Sequence, residues 1–330
     1  MQRNGFPLSR LGVAAAIGMV FLAGPAAAAP RVVASIAPLA SVAAAVMEGV
    51  GKPRVILEAW QSPHSAMLKP SQARAIEGAD LVLWVGPALE GGLDRILDAR
   101  SEDWRRTHVL TAMALPNVAL RPFRHLEEIG APGHEAAAEG HDPHREAAAG
   151  EHQHHHAGGT DPHLWLDPDN AVAIADALAE RLAVLDEGNA VRYRTNVRTF
   201  RNAVGALKAD LAATLAPVKG KAYVVFHDAY QYFEIPLGMA ASAALTLDPA
   251  HPVGGRHLLA VREAVARTHA VCVFAEPQAP RAAVKKLAGD LGMRSSILDP
   301  LGAKAAPEPK GYAVLLKRLA GNLADCLGGK

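Results

Sequence analysis

Histidine carries most of the chemical information in this chain, which has 15 of them against only 2 Cys. Three stand at the ends of apolar runs or just beyond them. His64 lies in Gln61-Ser-Pro-His-Ser65, shortly after an apolar run closing at Leu57; His163 lies in Asp161-Pro-His-Leu-Trp-Leu-Asp167; and His227 ends Val224-Val-Phe-His. Asp299 ends Ile297-Leu-Asp, so each half of the chain supplies two of the four groups. Three neutral imidazoles and one carboxylate form a tetrahedral nitrogen and oxygen set that suits a borderline divalent ion such as Zn²⁺. Each motif alone is weak, because a histidine at a strand end is more often a hydrogen-bonded structural residue, the reading given to His108, His125, His251, His257 and His269. Glu276, in Phe274-Ala-Glu-Pro-Gln278, is a candidate to accept an imidazole N–H and so orient a ligand. Asp161 and Asp228 are open to the same role, or to capping a helix or shaping a loop.

Seven further histidines fall between His134 and His156. The surrounding stretch, about residues 130–160, is Ala, Gly, His and Glu with almost no large apolar residue, and it is expected to form a disordered loop because it cannot bury a core. His141, His144, His152, His154, His155 and His156 are its auxiliary metal ligands, with Glu135, Glu139, Asp142, Glu146 and Glu151 supplying carboxylates. Such a tract holds transition metals loosely in interchangeable geometries; the alternative is a low-complexity insertion without function.

To bring these groups together, the chain must turn its strand ends toward one place. Arg31 to Ile36, Arg54 to Leu57 and Asp80 to Val85 read as strands, separated by helices at Leu39 to Glu48 and at Ser71 to Glu77 with Ser71 as N-cap; Leu93 to Asp98 belongs to another helix. The alternation repeats with strands at Tyr223 to Phe226, Ala270 to Ala275 and Ser295 to Leu298 and helices at Arg256 to Arg267 and Ala282 to Leu291. Near-continuous apolar strands between helices predict parallel sheets covered on both faces, hence two Rossmann-like α/β lobes. In such sheets a ligand binds outside the carboxyl ends of the strands, where the four motifs fall. Ala190 to Ala216 has no Pro, one Gly, and apolar residues at spacings of three and four. It predicts one amphipathic helix on the order of 40 Å long, a rigid link between lobes or a long packing helix within one.

The chain has 330 residues, 34 Lys+Arg and 33 Asp+Glu, for a formal net charge of +1. That balance argues against a nucleic-acid partner, which would favour a clustered basic face. Half of the residues are hydrophobic, enough for one large core or two ordinary ones. Residues 1–28 have a basic start, a short apolar block and an Ala-x-Ala site, the plan of a cleaved secretory signal peptide; the block is shorter than the roughly 20 residues that span a bilayer. The expected organisation is therefore a signal peptide over 1–28, a first lobe over 29–188 including the loop, a linking helix over 189–217 and a second lobe over 218–330. Export to an oxidising compartment favours a Cys272–Cys326 bridge over two unpaired thiols.

Several stretches together resemble the zinc-binding, ZnuA-like solute-binding proteins of bacterial ABC transporters. They are Ser62-Pro-His-Ser65 with Lys69-Pro-Ser71, Ala79-Asp-Leu-Val-Leu-Trp-Val-Gly86, the His-rich loop, His163-Leu-Trp-Leu166, Phe226-His-Asp-Ala-Tyr230, Cys272-Val-Phe-Ala-Glu-Pro-Gln278 and Leu298-Asp-Pro-Leu-Gly302. The resemblance implies two α/β lobes joined by a long helix and a metal in the cleft between them, held by His64, His163 and His227. It implies a disulfide matching Cys272 to Cys326, and a fourth position filled by Asp299 or a water near it, since Pro63 stands where some relatives carry an acidic neighbour of the first histidine. It also implies capture of periplasmic Zn²⁺ and delivery to an inner-membrane ABC permease by a monomer, with a periplasmic zinc chaperone as a candidate further partner. Manganese-binding relatives replace one histidine by a carboxylate, so a manganese or other divalent-metal carrier is the alternative. A zinc hydrolase is disfavoured: the chain has neither a His-Glu-x-x-His helix nor a Gly-x-Ser-x-Gly elbow. An adhesin would need exposed attachment, and the signal peptide has no lipobox Cys.

Overall fold

The computed structural model describes residues 1, 28–58, 60–124, 159–246, 255–279, 281–303 and 307–329. Residues 2–27 of the expected signal peptide and the His-rich tract, with His141, His144, His152, His154, His155 and His156, lie outside them, as do His125 and His251. The first lobe runs β1 (Val32–Ala34), α1 (Ala37–Val46), β2 (Arg54–Val55), α2 (Pro70–Glu77), β3 (Leu81–Trp84), α3 (Gly91–Asp98), α4 (Glu102–His108) and β4 (Val109–Thr111). Its four strands are parallel in the order β2-β1-β3-β4, with Val33 beside Val82 and Val82 beside Val109. Every residue of β1 and β3 is buried, as strands covered on both faces require.

A two-stranded antiparallel ribbon, β5 (Arg121–Pro122) and β6 (Thr160–Asp161), then brackets the histidine tract. Next come α5 (Pro168–Leu185) and α6 (Ala190–Leu215). The second lobe runs β7 (Tyr223–His227), α7 (Gln231–Leu237), β8 (Ala243–Thr246), α8 (Gly255–Thr268), β9 (Cys272–Ala275), α9 (Arg281–Asp290), β10 (Arg294–Ile297) and α10 (Gly311–Gly328). Its parallel strand order is β10-β9-β7-β8. A Cys272–Cys326 disulfide ties β9 to α10. Among the described residues no helix is long and apolar enough to cross a membrane.

The 26-residue α6 buries Tyr193, Val197, Phe200, Val204, Leu207, Leu211 and Leu215, the stripe expected from spacings of three and four. It packs along α5 and against both α1 and α10. Near one end Asn196 donates to the Val46 and Glu48 carbonyls at the close of α1; toward the other, Asp210 pairs with Lys317 of α10. The helix is thus packed along its length, and one hydrophobic core runs from β1 and β3 past α5 and α6 into β7, β9 and α10. A smaller apolar cluster covers the other face of the second sheet, around Val224, Phe226 and Val273.

The sequence reading missed β4, β5, β6, β8, α4, α5, α7 and α10. Ala243-Ala-Leu-Thr246 has no run of β-branched residues, and it is a strand because β7 pairs with it. Ser71 is not the N-cap of α2. The helix starts at Pro70, whose fixed φ suits the first helical position, and Lys69 is the cap, its N–H donating to Gln72 Oε1 at 2.7 Å.

Candidate metal centre

His64, His163 and His227 converge, each offering a ring nitrogen within 4.8 Å of the others. His64 sits in the irregular segment after β2, His163 directly after the ribbon and His227 at the last position of β7. Their ring centroids are 4.8–5.3 Å apart. His64 Nε2 and His163 Nε2 are separated by 3.2 Å. Two nitrogens bound tetrahedrally to one Zn²⁺ at ~2.0–2.1 Å would stand about 3.3 Å apart, so this pair already has the length of a coordination edge.

Two carboxylates brace the imidazoles from behind. Asp161 Oδ1 lies 2.6 Å from His163 Nδ1 and accepts the His163 backbone N–H at 2.9 Å, which turns Nε2 toward the cluster. Asp161 Oδ2 accepts from Gln231 of α7. Burial pushes the Asp161 carboxyl up, but His163 and Gln231 outweigh it and hold the group below its ordinary value. Glu276 Oε1 lies 3.4 Å from His227 Nδ1, ion-pair range but long for a hydrogen bond, and accepts from Tyr230 Oη at 3.0 Å. Burial lowers the His227 pKa, yet Glu276, Asp228 and Asp161 overcome it and the net displacement is upward.

Asp299 is not brought into the cluster. Its oxygens accept the backbone N–H groups of Leu301, Gly302 and Ala303 at 2.6–3.1 Å, so the carboxylate shapes the turn after β10. Asp228 pairs with Arg124 and not with an imidazole. His108 stacks on Trp104 in the first lobe, and His269 takes a positive φ after α8; neither joins the cluster.

Around the three histidines, Ser62, Trp165, Phe226, Glu276, Pro300 and Leu301 help enclose a cavity of about 40 Å³. That is room for about one water or one ion, far below the ~300 Å³ at which organic-ligand pockets begin. Trp165 closes it by joining the two halves of the chain: its Nε1 donates to the Pro300 carbonyl at 2.9 Å, and its own carbonyl accepts from Tyr312 Oη at 2.8 Å. Sequence reading missed Gln231 and Arg124. Gln231 lies just beyond Phe226-His-Asp-Ala-Tyr230, but its partners Asp161 and Pro122 are 70 and 109 residues away, and no local pattern marks such a pairing.

Two parallel α/β lobes sharing a long helix, with imidazoles from both halves of the chain meeting at an ion-sized cleft, define a two-lobed metal-binding protein. The chain belongs to the ZnuA family, zinc-uptake complex component A, periplasmic, which matches residues 32–326. It is 38% identical over 312 residues to the high-affinity zinc uptake system protein ZnuA of Brucella abortus, covering 90% of this chain and 91% of that one. Identity to the protein of the same name from Paracoccus denitrificans is 37% over 324 residues, covering 97% and 98%. A crystal structure of ZnuA superposes with a TM-score of 0.71 at 19% identity, covering 91% of this chain and 99% of that one, a likeness of fold.

Proposed function

We propose that this protein captures Zn²⁺ in the interlobe cleft and hands it to the inner-membrane permease of an ABC importer. The observation that carries the reading is the convergence of His64, His163 and His227, with carboxylates behind two of the three rings. An all-imidazole set favours zinc over manganese, which prefers oxygen ligands. Asp161 and Glu276 offset the charge of the ion without binding it, and a water completes the tetrahedron, because Asp299 is already held by three N–H groups. The protein acts by binding and release, and makes or breaks no covalent bond. Release follows when the permease favours a conformation with weaker zinc affinity, since a partner shifts a site only through differential affinity for its states.

The relatives' zinc-uptake names support this reading. Residues 1–28 serve as a cleaved signal peptide, and the mature monomer works in the periplasm. Its tract histidines gather metal around the cleft, with a zinc chaperone as a further donor. The test is calorimetric zinc titration of the mature, metal-stripped protein beside a His64→Ala/His163→Ala/His227→Ala triple variant and a variant lacking residues 131–159. The expected result is one tight site that survives deletion of the tract and is lost in the triple variant. Tight binding that survives the triple substitution and vanishes with the tract would make the tract the principal receptor.

A further inference from the structure

The ribbon that leads into the histidine tract is seated on the second lobe by a buried ion cluster. Arg124, two residues beyond β5, donates from Nε to Asp228 Oδ2 at 3.1 Å, from Nη2 to Asp228 Oδ1, and from Nη1 to Glu234 Oε2 at 2.6 Å. The three side chains are 18%, 4% and 0% exposed. Glu234 Oε1 also accepts from Tyr223 Oη at 2.6 Å and the Ala241 N–H at 3.2 Å. A planar guanidinium suits this geometry, gripping one carboxylate with two donors and a second with a third; an ammonium cannot reproduce it.

The cluster lies between two proposed ligands. Asp228 follows His227 in the chain, while the ribbon that positions Arg124 ends at Asp161, the carboxylate on His163. Helix α7, which carries Glu234, grips the same ribbon through neutral donors: Gln231 Nε2 donates to the Pro122 carbonyl at 3.0 Å, and Tyr232 Oη donates to the Asp161 carbonyl at 3.0 Å while accepting the Arg121 N–H at 2.7 Å. His163 and His227 are thus two residues and one residue from opposite sides of one interface. Charge-assisted bidentate bonds are its strongest joints.

We propose that Arg124 is a positioning residue for the metal centre: by pinning the ribbon to Asp228 and Glu234 it holds His163 and His227 at the separation a tetrahedral ion requires. Zinc affinity then depends on a guanidinium outside the three-histidine cluster. The proposal rests on the three-histidine reading above.

The test compares wild type, Arg124→Lys, Arg124→Ala and the neutral variant Arg124→Met/Asp228→Asn/Glu234→Gln, which strands no buried charge if the simple alanine variant fails to fold. Three quantities are read: Zn²⁺ affinity by competition with a chelating indicator, the visible spectrum of Co²⁺ in the same site, and the melting temperature without metal. Arg124→Lys and the neutral variant are expected to stay folded, to bind Zn²⁺ at least ~10-fold more weakly and to lose Co²⁺ absorption intensity as the site departs from tetrahedral. Methylguanidine added to Arg124→Ala should restore part of the affinity. Unchanged affinity and an unchanged Co²⁺ spectrum in folded Arg124→Lys and the neutral variant overturn the proposal, as does an affinity loss that only tracks lost stability. His163→Ala is run alongside. If it abolishes tight binding while the Arg124 variants do not, the proposal alone falls; if tight binding survives it, the three-histidine reading falls and takes the proposal with it.

Discussion

Asp161, the last residue of β6, and Asp299, two residues past β10, are carboxylates of the same chemistry, and their neighbours decide what each can do. Asp161 faces an imidazole, whereas Asp299 faces three backbone N–H groups that leave it little to offer a metal. Glu90 is a third case, a carboxyl 1% exposed whose Oε2 accepts the N–H groups of Val85 and Gly86 at 2.9 and 3.1 Å. Burial pushes it from 4.5 up to about 7, opposed in part by the Ser35 hydroxyl and those N–H groups. Because the folded value exceeds the unfolded one, its contribution to stability is complete below about pH 4.5 and is lost as pH rises through about 7. Glu90→Gln should therefore melt increasingly above wild type as the pH of the metal-free protein is raised from 5 to 8. Parallel melting curves across that window would show that Glu90 does not titrate there.

Among the elements, α3 has a part that its amphipathic pattern does not reveal. A Cβ placed on Gly92 would meet the Ala66 carbonyl oxygen at 2.3 Å, so the segment carrying His64 rests directly on the first turn of this helix. Backbone cannot yield as a side-chain tip can, and Gly92→Ala is expected to displace the His64 segment, lowering both zinc affinity and melting temperature. Gly91→Ala, whose Cβ would meet nothing within 4 Å, serves as the control and should change neither. Equal behaviour of the two variants in a zinc titration would rule out this support. Helices α1, α6, α8 and α9 and strands β1, β3, β7 and β9 were legible because apolar periodicity or continuous apolar runs mark them locally. Strands β4 and β8 were not, since their strand character comes from the neighbours they pair with.

In the whole molecule, the covalent bridge and a carboxylate facing the histidine cluster sit at opposite ends of one strand. Strand β9 begins at Cys272, bonded to Cys326 across 54 residues, and Glu276 follows its last residue. Closing a loop of that length restricts the unfolded chain by up to about 4 kcal/mol. Cys272→Ser/Cys326→Ser should melt well below wild type while keeping nearly wild-type zinc affinity; an equally large loss of affinity would show that the bridge also holds the cleft. The sequence by itself determined the alternation of strands and helices, the long amphipathic α6 and the three histidine motifs, because each rests on residues close together in the chain. Only the tertiary structure decided that Asp161 braces His163 while Asp299 caps a turn, and that Arg124 reaches Asp228 and Glu234 across 104 and 110 residues. A carboxylate or guanidinium takes its role from whatever partner lies within about 3 Å. For Arg124 that distance is set by the packing of the ribbon on the second lobe, which no local pattern records.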